Sequence, residues 1–276
     1  MTKEIQSNRS CIFCREPANS REHLLPDWLK KVLPAKEKVI HSRQVNGGTE
    51  QRWTRKPFEE KTKQVCSTCN EGWMSTLENL SKPILTPMIT RNQIPLALSS
   101  QDQWITATWA AKTVYVLASQ LTNSFIPPMH PFLVRENWMP PSQVNVWIGS
   151  HDRARRDPLN SVFIVKPLWA SAVDDLADRQ AEFGYMAFAA IGGVSFLMIG
   201  HRHTGRLRFR LNPPASELLF KLWPREAETL NWPPPLIMDR EMIDLVLDQE
   251  VRPPQLEMML AEDAYPPRPR LRQRGK

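Results

Sequence analysis

Four cysteines carry the most specific chemistry in this sequence. They form two Cys-x-x-Cys pairs, CIFC at Cys11 and Cys14 and CSTC at Cys66 and Cys69, and the chain has no other cysteine. Two residues between cysteines allow a tight turn to direct both sulfur atoms at one ion, and two such turns complete a tetrahedral site for structural zinc. The alternatives are redox dithiols or buried thiols, but redox pairs usually occur singly. We predict one Zn²⁺ bound by all four thiolates and, because no coordination position stays open, not itself catalytic.

Three polar residues stand beside the cysteine pairs. Glu22 and His23 follow the first pair within REHLLPDWL, and Asn70 directly follows the second pair within CSTCNEGWMSTLE. Each has an ordinary interpretation by itself: a surface charge, a surface or capping histidine, and a helix N-cap. A zinc ion that binds both cysteine pairs would bring the three side chains close together despite their separation in sequence. The combination therefore predicts a site for chemistry.

The surrounding pattern predicts the elements that position these residues. Pro26 can open a short helix with an apolar face. Asn70 occupies an N-cap position, and the residues after it have the spacing of an amphipathic helix that Pro83 ends or kinks, namely Trp73, Met74, Leu77 and Leu80. Between the two helices, the polar and β-branched segments 39–45 and 51–54 are typical of a hairpin.

These motifs, in this order, resemble the HNH endonuclease superfamily with its ββα-metal fold. The resemblance covers residues 11–80, and two looser similarities follow at Trp109-Ala-Ala-Lys112 and Trp232-Pro233-Pro234. It implies that His23 is the general base and that Glu22 and Asn70 bind a catalytic Mg²⁺ or Mn²⁺. The implied activity is hydrolysis of phosphodiester bonds in DNA, and the implied partner is nucleic acid.

One position departs from the family pattern. The middle residue of the motif, often Asn or His shortly before the second cysteine pair, has no clear counterpart, and the candidates are Thr62, Gln64 and His41. Glu78 is a possible extra ligand, although a solvent-facing helix residue is the more ordinary interpretation. A second hypothesis follows, in which an inactive or weakly active HNH-like zinc module binds nucleic acid or a partner in a larger assembly. RNA cleavage is a third.

The remaining sequence predicts a second, larger α+β unit. We expect a connector over 82–100, a helix over 102–120 capped by Ser100 with Lys112 extending toward solvent, and a helix near 240–247. Strands are predicted at 144–148, 162–165, 185–191, 194–199 and 206–211, with Gly192-Gly193 as a hairpin turn. The fold class is therefore α+β: a zinc-bound ββα-metal module over 1–95, an α+β domain with an antiparallel sheet over 96–265, and a basic, disordered tail over 266–276.

Basic residues in the second unit raise further possibilities. Arg206, Arg208 and Arg210 alternate with apolar residues, so a strand would present them on one face, where they contact phosphates or protect an edge. His201 and His203 could bind a metal, but solvated turn histidines are the more ordinary interpretation.

Charge and composition narrow the function classes. The formal net charge is +7, and the positive surplus lies in residues 1–95 and in the tail, which suits binding to a phosphate backbone but also an ordinary solvated surface. No stretch of 18 apolar residues exists and the N-terminus has no apolar core, so we expect no membrane span, no secretory signal and a cytoplasmic protein. A protein partner could bind through the second unit.

Overall fold

A short ladder, a hairpin and a long helical stretch form the N-terminal part of this computed structural model. The structure describes residues 9–33, 39–43, 51–56, 58–90, 95–121, 125–150, 162–169, 182–202, 207–239 and 256–260. The first elements are β1 (Glu22–His23), α1 (Leu29–Val32), β2 (Val39–Arg43), β3 (Gln51–Arg55), β4 (Lys61–Thr62), α2 (Ser67–Cys69), a π-helical turn (Asn70–Met74) and α3 (Ser75–Ile89). β1 pairs with β4 and β2 with β3, both antiparallel, so the predicted hairpin is confirmed.

The helical stretch after the second cysteine pair differs from the prediction at both ends. It begins at Ser67, where the Cys66 sulfur accepts the N-cap hydrogen bond, so Asn70 follows the first turn and is not the N-cap. It continues through Pro83 and Pro87 to Ile89, so Pro83 does not end it and the predicted connector is helical over 82–89. Leu85 and Met88 are fully buried there, and this burial outweighs the poor helix propensity of proline.

The second part is built on one long helix and an antiparallel sheet. Its elements are β5 (Leu96–Ser99), α4 (Ser100–Ala118), α5 (Met129–Asn137), β6 (Val144–Ser150), β7 (Val162–Trp169), β8 (Glu182–Ile191), β9 (Val194–His201), β10 (Leu207–Leu211), α6 (Ala215–Leu218), β11 (Leu219–Trp223), β12 (Thr229–Trp232) and β13 (Leu256–Leu260). Five strands form a sheet in the order β11-β6-β9-β8-β7, with antiparallel neighbours throughout. The predicted α+β class with an antiparallel sheet is confirmed.

Local sequence explains two junctions in this part. Gly192 has φ +57° in the turn between β8 and β9, a left-handed conformation that favours glycine, so the predicted hairpin is confirmed. Helix α4 begins with a capping box in which Ser99 and Asp102 exchange hydrogen bonds, so the cap is Ser99 and not Ser100. The predicted helix at 240–247, the tail 266–276, His203 and Arg206 lie outside the described residues.

One apolar core runs from the cysteine pairs to the sheet. Side chains on one sheet face, such as Val146 and Phe196, belong to the same buried cluster as Phe13, Trp73 and the residues of α4. A second cluster on the opposite face contains Trp147 and neighbouring apolar residues. Because alternate residues of a strand point to opposite faces, β6 supplies both clusters. Helix α4 therefore lies between the N-terminal part and the sheet.

A chain of buried polar side chains crosses this core. The Tyr185 hydroxyl lies 3.1 Å from Nδ1 of His130 and 3.1 Å from the Tyr115 hydroxyl. Burial, together with the charges of His201 and Arg202, lowers the pKa of His130 to about 4. His201 is itself fully buried on β9, so the interpretation of it as a solvated turn histidine is wrong.

The low pKa of His130 predicts that the protein loses stability in mild acid. Below pH 6.5 an unfolded chain binds a proton at His130 that the folded chain does not bind until about pH 4. The free energy of unfolding should therefore fall with falling pH across this window, by about 3 kcal/mol in total from this residue. Urea titrations of the wild type and His130→Asn between pH 4 and 7 measure it. Equal pH slopes in the two proteins would contradict the prediction.

Candidate metal centre and Glu-His site

The four cysteines come together as predicted. Their sulfur atoms all lie within 4.8 Å of one another, and Sγ of Cys14 is 3.5 Å from Sγ of Cys66. A tetrahedral zinc site with Zn–S bonds of about 2.3 Å requires sulfur–sulfur distances of roughly 3.8 Å, so the cluster fits this ion with small adjustments. All four are free thiols and three of them are buried. Together they can hold a metal ion such as zinc.

The backbone and a distant arginine support this cluster. The amide of Ile12, inside the first pair, donates to the Gln64 carbonyl just before the second pair. Arg135 on α5 lies near enough to the cluster for Cys69 and Cys14 to stabilise its charged guanidinium group. Because four thiolates and one Zn²⁺ carry a net charge of about −2, a nearby guanidinium offsets part of that charge. Sequence analysis did not identify Arg135, which lies 66 residues after Cys69.

The cysteine cluster sets the position of the strand that carries Glu22 and His23. In the β1–β4 ladder, Glu22 lies opposite Thr62 and His23 opposite Lys61. The Asn70 side-chain amide donates to the Ser20 hydroxyl at 2.6 Å, and Ser20 is two residues before Glu22. The structure therefore brings Asn70 to the segment of Glu22 and His23, although no side chain-to-side chain hydrogen bond joins these three described residues.

Glu22 is a buried carboxyl group. Only 6% of the residue is exposed. Its pKa is raised to about 7, mainly by burial. The Glu78 carboxylate adds to this rise, and the Lys112 ammonium opposes it. The His23 backbone amide also donates to the Glu22 side chain. A divalent cation with an oxygen ligand at Glu22 would favour the ionised carboxylate in the same way as Lys112 does.

His23 is neutral near pH 7 and is partly accessible to solvent. Its side chain is 19% exposed, and its Nε2 lies 3.3 Å from Oδ1 of Asp27. Burial is the main cause that lowers its pKa below the usual range, and the charge of Lys61 contributes, while Asp27 opposes the shift. Asp27 was not identified from the sequence, although its position four residues after His23 in EHLLPDWL was visible.

Glu78 and Lys112 form an ion pair next to this site. Nζ of Lys112 lies 2.7 Å from Oε1 of Glu78, and the two side chains are 2% and 21% exposed. The prediction that Lys112 extends to solvent is therefore wrong. Glu78 is only partly exposed, and its role as an extra ligand stays a prediction. The pair joins α3 to α4 across 34 residues of sequence, a separation at which the helical periodicity of either segment gives no information.

The candidates for the middle motif residue have different surroundings. Thr62 is opposite Glu22 but is buried, and its hydroxyl accepts a hydrogen bond from Gln120 at 2.7 Å. The Gln64 carbonyl accepts the Ile12 amide, and His41 lies on β2, in a separate two-stranded sheet opposite Trp53. Strand β4 therefore offers a hydroxyl that is already hydrogen-bonded where the family pattern has an amide or imidazole.

The arginines of β10 are described only in part. Strand β10 pairs with β13, which places Arg208 opposite Met259 and Arg210 opposite Glu257, and Arg210 is exposed. Arg208 and Arg210 occupy alternate positions of this strand and so share a face, as the sequence predicts. The role of these arginines in binding nucleic acid stays a prediction.

Among the described residues, the four cysteines are the only group of three or more His, Cys, Asp or Glu ligands close enough to share an ion. Within the same residues, no helix combines the length and apolar character needed to cross a bilayer.

Comparison of the chain with family models, curated proteins and solved structures gives no match. The HNH resemblance therefore depends on the motifs and on the geometry described above.

Proposed function

We propose that this protein is a metal-dependent endonuclease of the HNH type that hydrolyses phosphodiester bonds in DNA. The observation that carries the proposal is the position of His23. A neutral, partly exposed imidazole stands next to a buried carboxyl group on a strand that the cysteine cluster anchors. An imidazole, a carboxylate and a nearby amide are the groups that a one-metal hydrolytic site requires.

The role of each side chain follows from its contacts. Asp27 lies beside Nε2 of His23 and so favours the tautomer with a proton on that nitrogen, which leaves Nδ1 to accept a proton from water. Glu22 and Asn70 would hold Mg²⁺ or Mn²⁺. The Asn70 amide nitrogen is occupied by Ser20, and its Oδ1 has no hydrogen bond among the described residues. When bound, such an ion neutralises charge on the scissile phosphate and the leaving oxygen.

Other parts of the chain have roles in this proposal as well. The basic surplus of residues 1–95 would attract the phosphate backbone. Residues after 95 would choose the substrate or a protein partner, and a cytoplasmic location is part of the same proposal.

Cleavage assays on His23 variants test the activity. Zinc-loaded wild type should cut plasmid DNA in Mg²⁺ or Mn²⁺ but not in EDTA. His23→Ala should cut at least about 100-fold more slowly, because it lacks the general base. Glu16→Ala is the control, because Glu16 is an exposed residue of the same part of the chain and has no proposed role in the site. Equal rates in the wild type and His23→Ala, or no cleavage of DNA or RNA by the wild type, would overturn the proposal.

The state of Thr62 favours a second candidate function, binding without catalysis. Its hydroxyl accepts a hydrogen bond from Gln120, so strand β4 adds neither an amide nor an imidazole opposite Glu22. In that case the chain should bind nucleic acid in a salt-dependent manner, without cleavage and without a second bound ion in calorimetry. Parallel assays on DNA and RNA show which of the two polymers the protein binds, and which it cleaves if the first proposal holds.

A further inference from the structure

Helix α4 places a lysine where a lysine is energetically costly. Every residue from Gln103 to Val116 is buried in this helix, and Lys112 is 1% exposed. Transfer of an ammonium group from water into a protein interior costs several kcal/mol unless it is paired. Its hydrogen-bond partner is Glu78 on α3. A lysine at this position therefore depends on negative charge in the N-terminal part of the protein.

The same two groups act on the Glu-His site. Two contacts place α4 against the segment that carries this site. The Trp109 ring, one turn before Lys112, packs 6.3 Å from the Trp28 ring. Gln120, just after α4, donates to the Thr62 hydroxyl opposite Glu22. Within this packing, Lys112 and Glu78 are the charged groups with the largest electrostatic effect on Glu22. With Glu22 ionised, the two carboxylates and one ammonium sum to a charge of −1. A divalent cation would then enter a region of net negative charge that protein atoms largely screen from water, where Coulomb attraction is stronger than at the surface.

Stability alone does not account for this buried ion pair. Replacing a buried ion pair by apolar groups of similar volume is often neutral or stabilising, whereas removing one partner is costly. Methionine has nearly the length of lysine and would fit the apolar surroundings of α4. A buried ion pair that stability does not require, packed against the segment of a proposed catalytic site, points to a role in that site.

We propose that Lys112 and Glu78 are positioning residues of the Glu22–His23 site. The buried ammonium holds the Glu78 carboxylate beside Glu22, and the three groups together provide the net negative charge that attracts a divalent cation. The inference deepens the proposed function and rests on it. It also means that the site is incomplete without α4, which lies after residues 11–80, the segment that carries the HNH motifs.

Mn²⁺ binding and turnover, measured separately on the full zinc-loaded chain, test this role. The variants are Glu78→Gln, Lys112→Met and the double variant, and Glu217→Gln on α6 is the control, because it removes an equal charge from an exposed position. Electron paramagnetic resonance of free Mn²⁺ gives the affinity, plasmid cleavage gives turnover at saturating Mn²⁺, and thermal melts give stability.

Glu78→Gln should weaken Mn²⁺ binding about tenfold, because one negative charge is lost at short range, and Glu217→Gln should not. Lys112→Met should lose at least tenfold in turnover without weaker Mn²⁺ binding. The double variant should regain the wild-type melting temperature but keep weak Mn²⁺ binding and low turnover. A purely structural pair would show the opposite, with affinity and turnover restored together with stability, and that result overturns the inference.

These outcomes also separate this inference from the proposed function. A wild type that binds Mn²⁺ without cleaving nucleic acid overturns the nuclease proposal, and the inference is then judged on Mn²⁺ affinity. A wild type that cleaves while Glu78→Gln and the double variant match it overturns the inference alone. A wild type that binds no Mn²⁺ overturns both.

Discussion

Replacement of Cys66 by serine should remove the bound zinc and unfold the N-terminal part of the protein. Cys66 has two roles: its sulfur is one of the four clustered thiols, and it accepts the N-cap hydrogen bond of α2 from the Cys69 amide. Structural zinc contributes about 10–16 kcal/mol to folding in small zinc domains, whereas an entire domain is stable by only about 5–15 kcal/mol. Loss of the ion is therefore expected to exceed what the remaining contacts can offset.

Metal content and melting curves measure this effect. Wild-type protein should contain one zinc per chain, and Cys66→Ser should contain little and melt well below it. Thr68→Ala is the control, because Thr68 is an exposed residue of the same CSTC segment and contributes no ligand. A strong chelator should destabilise the wild type toward the Cys66→Ser variant. A Cys66→Ser protein that melts with the wild type would show that the thiols do not bind a structural ion.

The sequence predicted local features of the site better than its long-range contacts. The spacing of Cys11 and Cys14 restricts both sulfurs to one turn, so their convergence with the second pair follows from ligand chemistry. The turn at Gly192 likewise depends on backbone conformation and could be predicted. No local rule connects Lys112 to Glu78, because that contact forms only after α3 and α4 pack together.

Two errors in the sequence analysis have the same physical origin. Of the two alternatives for Pro83, a helix end and a kink, the helix end is wrong, and so is the solvated turn expected for His201. Each of these expectations rests on the intrinsic preference of one residue type. In the structure, α3 continues through Pro83 because its later residues are buried, and His201 is enclosed within the sheet. Tertiary burial outweighed local propensity at both positions.

The continuous core connects these observations to function. Lys112 and Arg135 both lie after residues 11–80, yet Lys112 pairs with Glu78 and Arg135 lies near the cysteine cluster within that segment. We therefore expect the sheet-bearing part to determine the geometry of the site as well as any choice of substrate. This expectation predicts that the parts on either side of α4 unfold together.

Trp109 is the residue that tests this coupling most directly. It is fully buried on α4, with its ring centroid 6.3 Å from that of Trp28 on the N-terminal side and 5.8 Å from that of Phe196 in the sheet. Trp109→Ala should cost about 3–5 kcal/mol, the range for truncating a large buried aromatic side chain. Its indole nitrogen has no hydrogen-bond partner among the described residues, so Trp109→Phe should lose packing only and cost less.

Chemical denaturation followed by two probes measures both the cost and the coupling. Zinc release reports on the cysteine cluster, and far-ultraviolet circular dichroism reports mainly on the sheet and helices. In the wild type and in Trp109→Phe the two transitions should coincide, because one core carries both parts. In Trp109→Ala both midpoints should shift together to lower denaturant. Zinc release that keeps its wild-type midpoint while the circular dichroism transition moves would show that the cysteine-bearing part folds independently of α4.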